Sequence, residues 1–308
     1  MKKRIRFIAN PFSGTKSKRN LESDIKKYLD QNHDWELVFT EWAGHATELA
    51  KEAVDQKYFM VVAVGGDGSI NEVAQALIHS ETVLGILPAG SGNGFAMHLG
   101  IGRNIKKAFQ YLNEGKILTV DTCLMNDRPY VNLAGMGFDA EVSARIKGSK
   151  FRGFLGYLTY SIQEAFAYKM QDFEFEIDGT KIQRTCFTLA IANAPMYGYG
   201  FVVAPKAVLN DGKLEVMIIK KAPKWRIILE GWRYLTNSLH ESPLAEKYEA
   251  KEVIVKTISS PWAAHADGES LKVESPVRFR IVENSLKVMC PKKYLENMHV
   301  SHRGGGNE

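Results

Sequence analysis

The stretch Val61-Val62-Ala63-Val64-Gly65-Gly66-Asp67-Gly68-Ser69-Ile70-Asn71-Glu72-Val73 constrains the fold more tightly than any other part of the chain. A β-branched run stops at Gly-Gly-Asp-Gly. Apolar residues then recur at Ile70, Val73, Ala74 and Leu77, the i, i+3, i+4, i+7 spacing of one helix face. Strand, glycine turn and helix follow from that pattern. Glycines let the backbone approach a ligand closely, and the N–H groups that open the helix are ready to hold an anion such as phosphate. Asp67 is out of place in such a turn, because a carboxylate repels phosphate unless a metal ion or a transferable proton lies between them. The stretch therefore suggests magnesium-dependent phosphoryl chemistry.

The chain on either side repeats this unit. Residues 4–9 alternate into a strand that meets the loop Asn10-Pro11-Phe12-Ser13-Gly14-Thr15-Lys16, and a helix is predicted over 20–29. A strand at 35–40 and a helix at 46–54 come next. After the opening stretch, a strand at 83–87 enters a second glycine loop, Pro88-Ala89-Gly90-Ser91-Gly92-Asn93-Gly94, and a helix follows at 105–113. Alternation of this kind predicts a doubly wound parallel sheet, with the loops after its strands converging on one crevice.

From residue 118 onward the apolar runs have strand character: 120–125, 130–133, 173–177, 187–192, 214–219, 253–258, 277–282 and 286–289, with Asp178-Gly179 as a hairpin turn. The predicted architecture is thus α/β plus β: an α/β domain over 1–122 and an antiparallel β-sandwich over 123–290. Residues 291–300 are expected to pack back on the first domain, and 301–308 to form a disordered tail. Two helical insertions are expected near 153–168 and 224–239.

Length and composition fit this division. A chain of 308 residues favours two domains, and 45% hydrophobic with 24% charged residues is ordinary for a globular protein. The balance of 40 Lys+Arg against 35 Asp+Glu permits attraction to phosphates or an anionic membrane surface, but it is too weak to imply nucleic acid. Cys123, Cys186 and Cys290 lack metal-ligand spacing, so reduced thiols in a cytosolic protein are the simplest account. The apolar run after Met1-Lys2-Lys3-Arg4 is too short for a signal peptide, and no run approaches the ~18 residues of a membrane span, so membrane contact is expected to be peripheral.

Several stretches could carry chemistry. Ser91, Asn93 and the backbone N–H groups at 90–92 could grip phosphate oxygens, as could Ser13 and Gly14, although Asn10-Pro11 and Ser13-Gly14 could equally form a helix cap. In Ala264-His265-Ala266-Asp267-Gly268-Glu269, Asp267 could take the proton from an attacking hydroxyl while Glu269 orients it or positions a metal; an ordinary Asp-Gly hairpin turn is the bland alternative. Asp211 in Asn210-Asp211-Gly212 could bind a cation or only shape a turn. Asp139 and Glu141 add acid that could face a polar group of the substrate, and Lys150 and Arg152 could answer phosphate charge or sit solvated on the surface. No His-Glu-x-x-His or nucleophile elbow is present, which argues against a zinc protease or a serine hydrolase. Two apolar stripes, Phe154, Leu158, Ile162, Phe166 and Trp225, Ile228, Leu229, Trp232, suit core or interdomain packing. The second, beside Lys224, Arg226 and Arg233, also suits a membrane interface.

Six of these motifs, in order, resemble the diacylglycerol kinase catalytic-domain family: Asn10-Pro11-Phe12-Ser13-Gly14, Gly65–73, Pro88-Ala89-Gly90-Ser91-Gly92-Asn93, Gly137-Phe138-Asp139-Ala140, Asn210-Asp211-Gly212 and Asp267-Gly268-Glu269. That family of soluble lipid kinases includes bacterial diacylglycerol and phosphatidylglycerol kinases and the sphingosine and ceramide kinases. The resemblance implies an NAD-kinase-like ATP-binding domain, a β-sandwich domain, and a cleft in which the γ-phosphate passes to a lipid hydroxyl. It implies ATP contacts at Asn10, Ser13, Gly14, Thr40, Gly66, Gly68, Ser91 and Gly92, with a phosphate contact near Arg152. Asp67 would serve Mg-ATP, or act as base; Asp267 would be the base on the acceptor, Glu269 its helper, and Asp211 a ligand of an accessory magnesium. Such an enzyme would work in the cytoplasm at the inner face of the membrane, as a monomer or a homodimer. The second loop reads Asn93-Gly94-Phe95-Ala96-Met97, not the Asn-Asp-Phe-Ala-Arg of many bacterial members, which leaves the acceptor open. NAD kinase, a distant relative sharing Gly-Gly-Asp-Gly, and a non-catalytic nucleotide- or lipid-binding module are the alternatives.

Overall fold

A computed structural model describes residues 2–11, 20–147, 154–234, 236–257 and 262–296 of the protein. Two units are distinct. The first holds the chain up to Val120 and again from Ser285, and the second runs from Asp121 to Asn284.

In the first unit, strands β1 (Lys3–Ala9), β2 (His33–Phe39), β3 (Met60–Gly65) and β4 (Val83–Pro88) alternate with helices α1 (Leu21–Tyr28), α2 (His45–Asp55) and α3 (Asp67–Leu77); the short α4 (Gly94–His98) and then α5 (Ile105–Glu114) follow β4. The strands are parallel in the order β2-β1-β3-β4. β3 and β4 are buried at every position, which is why they read as unbroken apolar runs and not as alternating ones. Helix α2 packs beside α3 and α1 beside α5, giving the doubly wound arrangement. The connection from β1 leads outward to β2 and the next one returns past β1 to β3. The switch in direction therefore lies between β1 and β3, the place where open α/β sheets bind their ligands.

The second unit is an antiparallel β-sandwich. Strand β5 (Lys116–Met125) carries the chain into it, and β6 (Arg128–Tyr130), β7 (Leu133–Gly137), α6 (Phe138–Lys147), α7 (Phe154–Ala167), β8 (Gln171–Ile177), β9 (Thr180–Ala192), β10 (Leu214–Lys220) and α8 (Lys224–Glu230) follow. After them come β11 (Ala245–Ala250), β12 (Glu252–Thr257), β13 (Trp262–Ala266), β14 (Glu269–Val273) and β15 (Val277–Cys290), whose last residues belong to the first unit, with Val288 opposite Leu84. Phe173 and Phe175 of β8, Val253 and Val255 of β12, Val277 and Phe279 of β15, Ala134 and Met136 of β7, and Val216 and Ile218 of β10 all enter one buried core at i, i+2 spacing.

Strand β9 organises this unit. Its first half pairs with β8 and its second half with β7, while β10 runs along the other edge of the second half. The register against β10 slips at Phe187, a bulge that bends the strand from one partner to the other. Cys186, Leu189 and Ile191 face the main core, whereas Phe187 and Ala190 join a second cluster with Ala165 of α7, Tyr168 just past it and Ile227 of α8. Both faces are covered there, so the run 187–192 shows no clean alternation.

Several elements differ from the sequence expectation. The predicted strand at 130–133 is split between β6 and β7, because the N–H groups of residues 131–133 turn toward Asp267. The runs at 277–282 and 286–289 form the single strand β15. Strand β11, Ala-Glu-Lys-Tyr-Glu-Ala, carries no β-branched residue and pairs only with β10, so its pattern was too polar to read. All three cysteines are buried and unpaired with one another, and no described helix is long and apolar enough to cross a membrane.

Candidate active site

Register places the end of every strand of the first sheet at one edge. Ala9 lies opposite Phe39 and Val64, Val64 opposite Leu87, and Gly65 opposite Pro88. Asn10, Thr40, Gly66 and Ala89 are thus the first residues past four neighbouring strands. Asn10 N–H donates to Val64 O at 3.4 Å and the buried Thr40 donates its N–H to Ala9 O at 3.0 Å, so both are extensions of the sheet edge. Gly68 and Ser91 are exposed beside them, and a Cβ on Gly68 would meet nothing within 4 Å. Gly66, which precedes α3, has no capping side chain for the N–H groups of that helix's first turn.

The two glycine loops touch backbone to backbone. A Cβ on Gly90 would lie 2.3 Å from Gly66 Cα, and one on Gly66 would lie 3.1 Å from Gly90 Cα. Only glycines allow that approach. Asn93 closes the second loop on itself, its Oδ1 accepting Gly90 N–H at 3.0 Å and its Nδ2 donating to Gly90 O at 2.8 Å, with its backbone in the left-handed region at φ 55°.

Asp67 has an unexpected set of partners. Its Oδ2 accepts Gly94 N–H at 3.0 Å and its Oδ1 accepts Phe95 N–H at 3.1 Å, so the carboxylate sits on the positive pole of α4. A local contact between the two loops answers the question raised by an acid in a glycine turn. Burial raises its pKa above the usual carboxylate range, and the backbone N–H groups of Gly94 and Phe95 pull the other way. At the far end of α4, His98 Nε2 meets Tyr294 Oη at 2.8 Å, and burial lowers the imidazole to about 4.

In the second unit, Asp267 occupies the β13–β14 turn at φ 48° and is almost fully buried. Its Oδ1 accepts Asn132 N–H at 2.9 Å and Leu133 N–H at 3.0 Å, its Oδ2 accepts Val131 N–H at 2.8 Å, and its own N–H donates to Leu133 O at 2.9 Å. These three bonds take up most of the roughly four acceptor positions of a carboxylate. Glu269, two residues on, is exposed and pairs with Arg128 at 2.5 Å. Asp211 is exposed, and its Oδ1 accepts Lys213 N–H at 3.1 Å in a local turn. The neighbouring loop is anchored instead by the buried Asp121, which accepts Gly212 N–H at 2.8 Å and Asn284 N–H at 2.7 Å.

Sequence reasoning did not find the cluster around Asp139. Its Oδ1 accepts Thr188 Oγ1–H at 2.7 Å and Ala140 N–H at 2.9 Å; its Oδ2 accepts Tyr197 Oη–H and lies 3.0 Å from Nε2 of the fully buried His265. Gly135 makes room, since a Cβ there would lie 2.3 Å from Asp139 Oδ2. The sequence offers Asp139 and, within the Asp267 motif, His265 separately, but nothing joins them, since the partners of His265 are 68 and 126 residues away. Glu141, next on α6, is exposed. Ser13, Gly14, Lys150 and Arg152 lie outside the described residues. Among the described residues no three His, Cys, Asp or Glu side chains come together to hold a metal ion.

The first unit is thus a parallel sheet whose glycine loops meet past the ends of β3 and β4, and it is joined in sequence to a β-sandwich. Residues 4–125 match the diacylglycerol kinase catalytic domain and residues 132–290 match the YegS C-terminal NAD kinase beta sandwich-like domain, so the chain belongs to the diacylglycerol kinase family. A diacylglycerol kinase of Staphylococcus aureus (strain bovine RF122 / ET3-1) is 33% identical over 98% of this chain and 97% of its own length. A diacylglycerol kinase of Bacillus subtilis (strain 168) is 29% identical over 96% of this chain and 99% of its own. Among solved structures, a diacylglycerol kinase of Bacillus anthracis str. Sterne shares the fold with a TM-score of 0.73 at 17% identity, covering 95% of this chain and 98% of that one. An NAD kinase from Archaeoglobus fulgidus in complex with ATP shares it more distantly, with a TM-score of 0.54 at 14% identity over 98% and 100% of the two chains.

Proposed function

We propose that the protein is an ATP- and magnesium-dependent lipid kinase that transfers the γ-phosphate to a hydroxyl of a membrane lipid such as diacylglycerol, phosphatidylglycerol or a sphingoid base. The observation that carries this reading is the edge where Asn10, Thr40, Gly66, Gly68, Ser91 and Gly92 gather past the strand ends. Open backbone beside Gly68 and an uncapped α3 fit the phosphates of a nucleotide. Magnesium usually takes one or two carboxylates plus substrate phosphates and keeps several waters, so the lack of an acidic cage among the described residues fits a metal that arrives with ATP. It would neutralise charge on the phosphates.

Within the chain, Asp67 fixes the second glycine loop and is flanked by Gly66 and Gly68 of that edge. Asp267 would accept the proton of the lipid hydroxyl, with Glu269 helping to orient the acceptor. An accessory magnesium at Asp211 would have to draw its other ligands from backbone carbonyls and water. The enzyme would act in the cytoplasm, peripheral to the membrane's inner face.

Incubation of the purified protein with γ-labelled ATP, magnesium and a total lipid extract tests the reading. One phosphorylated lipid is expected, none in excess chelator, and no labelled NADP when NAD is supplied. Transfer to NAD with none to lipid would overturn it.

A further inference from the structure

Helix α8 is turned inside out. Trp225, Ile228 and Leu229 of α8 recur at i, i+3 and i+4, the spacing that ordinarily faces a core, and Trp232 follows in the 3-10 turn Gly231–Tyr234. Here they are 67%, 38%, 62% and 51% exposed, respectively, and the buried contact comes from Ile227 on the other side, which joins Tyr168 and Leu239. The expectation of core packing for this stripe therefore fails. The helix is nevertheless firmly seated. Glu230 pairs with Arg233 at 2.5 Å and accepts Ser242 Oγ–H at 2.8 Å, and the Arg233 guanidinium lies 5.0 Å from the centre of the Trp232 ring.

Charge and residue type say what covers this face. Lys221, Lys224 and Arg226 are exposed around it, and Arg233 pairs with both acids nearby, Glu230 of the helix and the exposed Glu241. Tryptophan and leucine rimmed by Lys and Arg suit the headgroup layer of an anionic bilayer, where the indole N–H stays wet while the ring is buried. The exposed apolar surface is on the order of 400 Å², given roughly 150–250 Å² for a whole aromatic side chain. A stable protein interface needs about 800 Å² from each partner, so a second copy of the chain would be poorly held by this face alone.

We propose that the face formed by Trp225 and Leu229 of α8 and Trp232 of the turn after it, with Lys221, Lys224 and Arg226, docks the protein on an anionic phospholipid surface. The inference rests on the lipid-kinase reading in that such an enzyme must reach its acceptor in a bilayer, but its test uses neither ATP nor turnover.

Co-sedimentation of the full chain with phosphatidylglycerol vesicles and with phosphatidylcholine vesicles provides that test. Binding is expected to the anionic vesicles, to weaken in high salt, and to fall by about tenfold or more in Trp225→Ser/Leu229→Ser, whose thermal unfolding should match the parent because both side chains are exposed. Lys224→Gln and Arg226→Gln are each expected to weaken it about fivefold. No binding of the parent protein, or equal binding by the double variant, would overturn the inference. So would light scattering that shows a dimer which the double variant dissociates, since the face would then belong to a second copy. Loss of vesicle binding with lipid phosphorylation intact in detergent leaves the kinase reading standing, and the reverse result leaves the docking surface standing.

Discussion

Asp67 and Asp267 are both aspartates that hold runs of backbone N–H groups, and the difference between them separates the two units. Asp67 accepts two N–H groups from the start of α4, 27 and 28 residues away, and links one glycine loop to the next. Asp267 accepts three N–H groups at the break between β6 and β7, 134 to 136 residues away. In the first unit the open backbone at Gly68 and the exposed Ser91 lie past the strand ends, and the acid ties the two glycine loops together. The second unit instead offers side chains, and one of its acids has most of its acceptor capacity taken by the fold. Catalysis by Asp267 would therefore have to use a group that is also structural, whereas Asp67 can matter to nucleotide binding without touching a phosphate.

The largest effect should come from separating these two roles of Asp267. Asp267→Asn keeps an acceptor for part of the N–H set but removes the base, and transfer should fall by about 10²–10⁴-fold. Asp267→Ala leaves three donors without their acceptor at about 1–3 kcal/mol each, so it should also lower the unfolding temperature. Parallel measurements of labelled phosphate transfer and thermal unfolding separate the roles. An Asn variant that is unstable but fully active would make Asp267 purely structural.

The two ends of α4 allow a sharper test, because their pKa shifts have opposite signs. His98 falls from 6.5 unfolded to about 4 folded, so the unfolded chain binds more protons between those values. Stability should then be lost as pH falls from 6.5 toward 4, by up to about 3 kcal/mol. Asp67 has a raised folded pKa, so its ionisation costs stability, and stability should fall as pH rises from the ordinary carboxylate range through that raised value. Unfolding followed across pH 3.5–7 should show the His98 slope vanish in His98→Phe and the opposing contribution vanish in Asp67→Asn. An unchanged acid slope in His98→Phe would mean the imidazole is not held neutral.

Next in size is the contact between the loops. Gly90→Ala drives a methyl to 2.3 Å from Gly66 Cα, while Gly68→Ala meets nothing within 4 Å. Overpacking of about 1–3 kcal/mol should separate the loops and weaken ATP binding by tenfold or more in the first variant. Folding should be little affected in the second. Calorimetric titration of ATP checks both, and equal affinities would show that the close approach does not shape the nucleotide edge.

These contrasts also explain what could be read from the chain. The first unit was legible because its strands are buried runs, its turns need glycine where backbones meet, and each motif folds beside its sequence neighbours. The pattern Gly90-Ser91-Gly92-Asn93 suggests a phosphate grip at Asn93, whose side chain instead closes its own loop. In the second unit, β9 hides its alternation behind a bulge and a second covered face, and β11 has no β-branched residue. The Asp139–Tyr197–His265–Thr188 cluster and Asp121 are assembled by pairings dozens to more than a hundred residues apart. No local period encodes such a pairing. The outward stripe of α8 was visible as a pattern, but which side faces the core depends on Ile227 finding Tyr168 and Leu239.

The smallest expected change lies at Glu269, and it decides how far chemistry extends beyond Asp267. Its side chain is 46% exposed and that of its partner Arg128 is 35% exposed. An ion pair so accessible to water contributes about 0–1 kcal/mol, so Glu269→Gln should leave the unfolding temperature nearly unchanged. If Glu269 orients the acceptor for Asp267, transfer should still fall, and Arg128→Ala, which breaks the same pair while keeping the carboxylate, should not reproduce the loss. Equal losses in the two variants would place the effect in the ion pair, and Glu269 would then only brace the turn that presents Asp267.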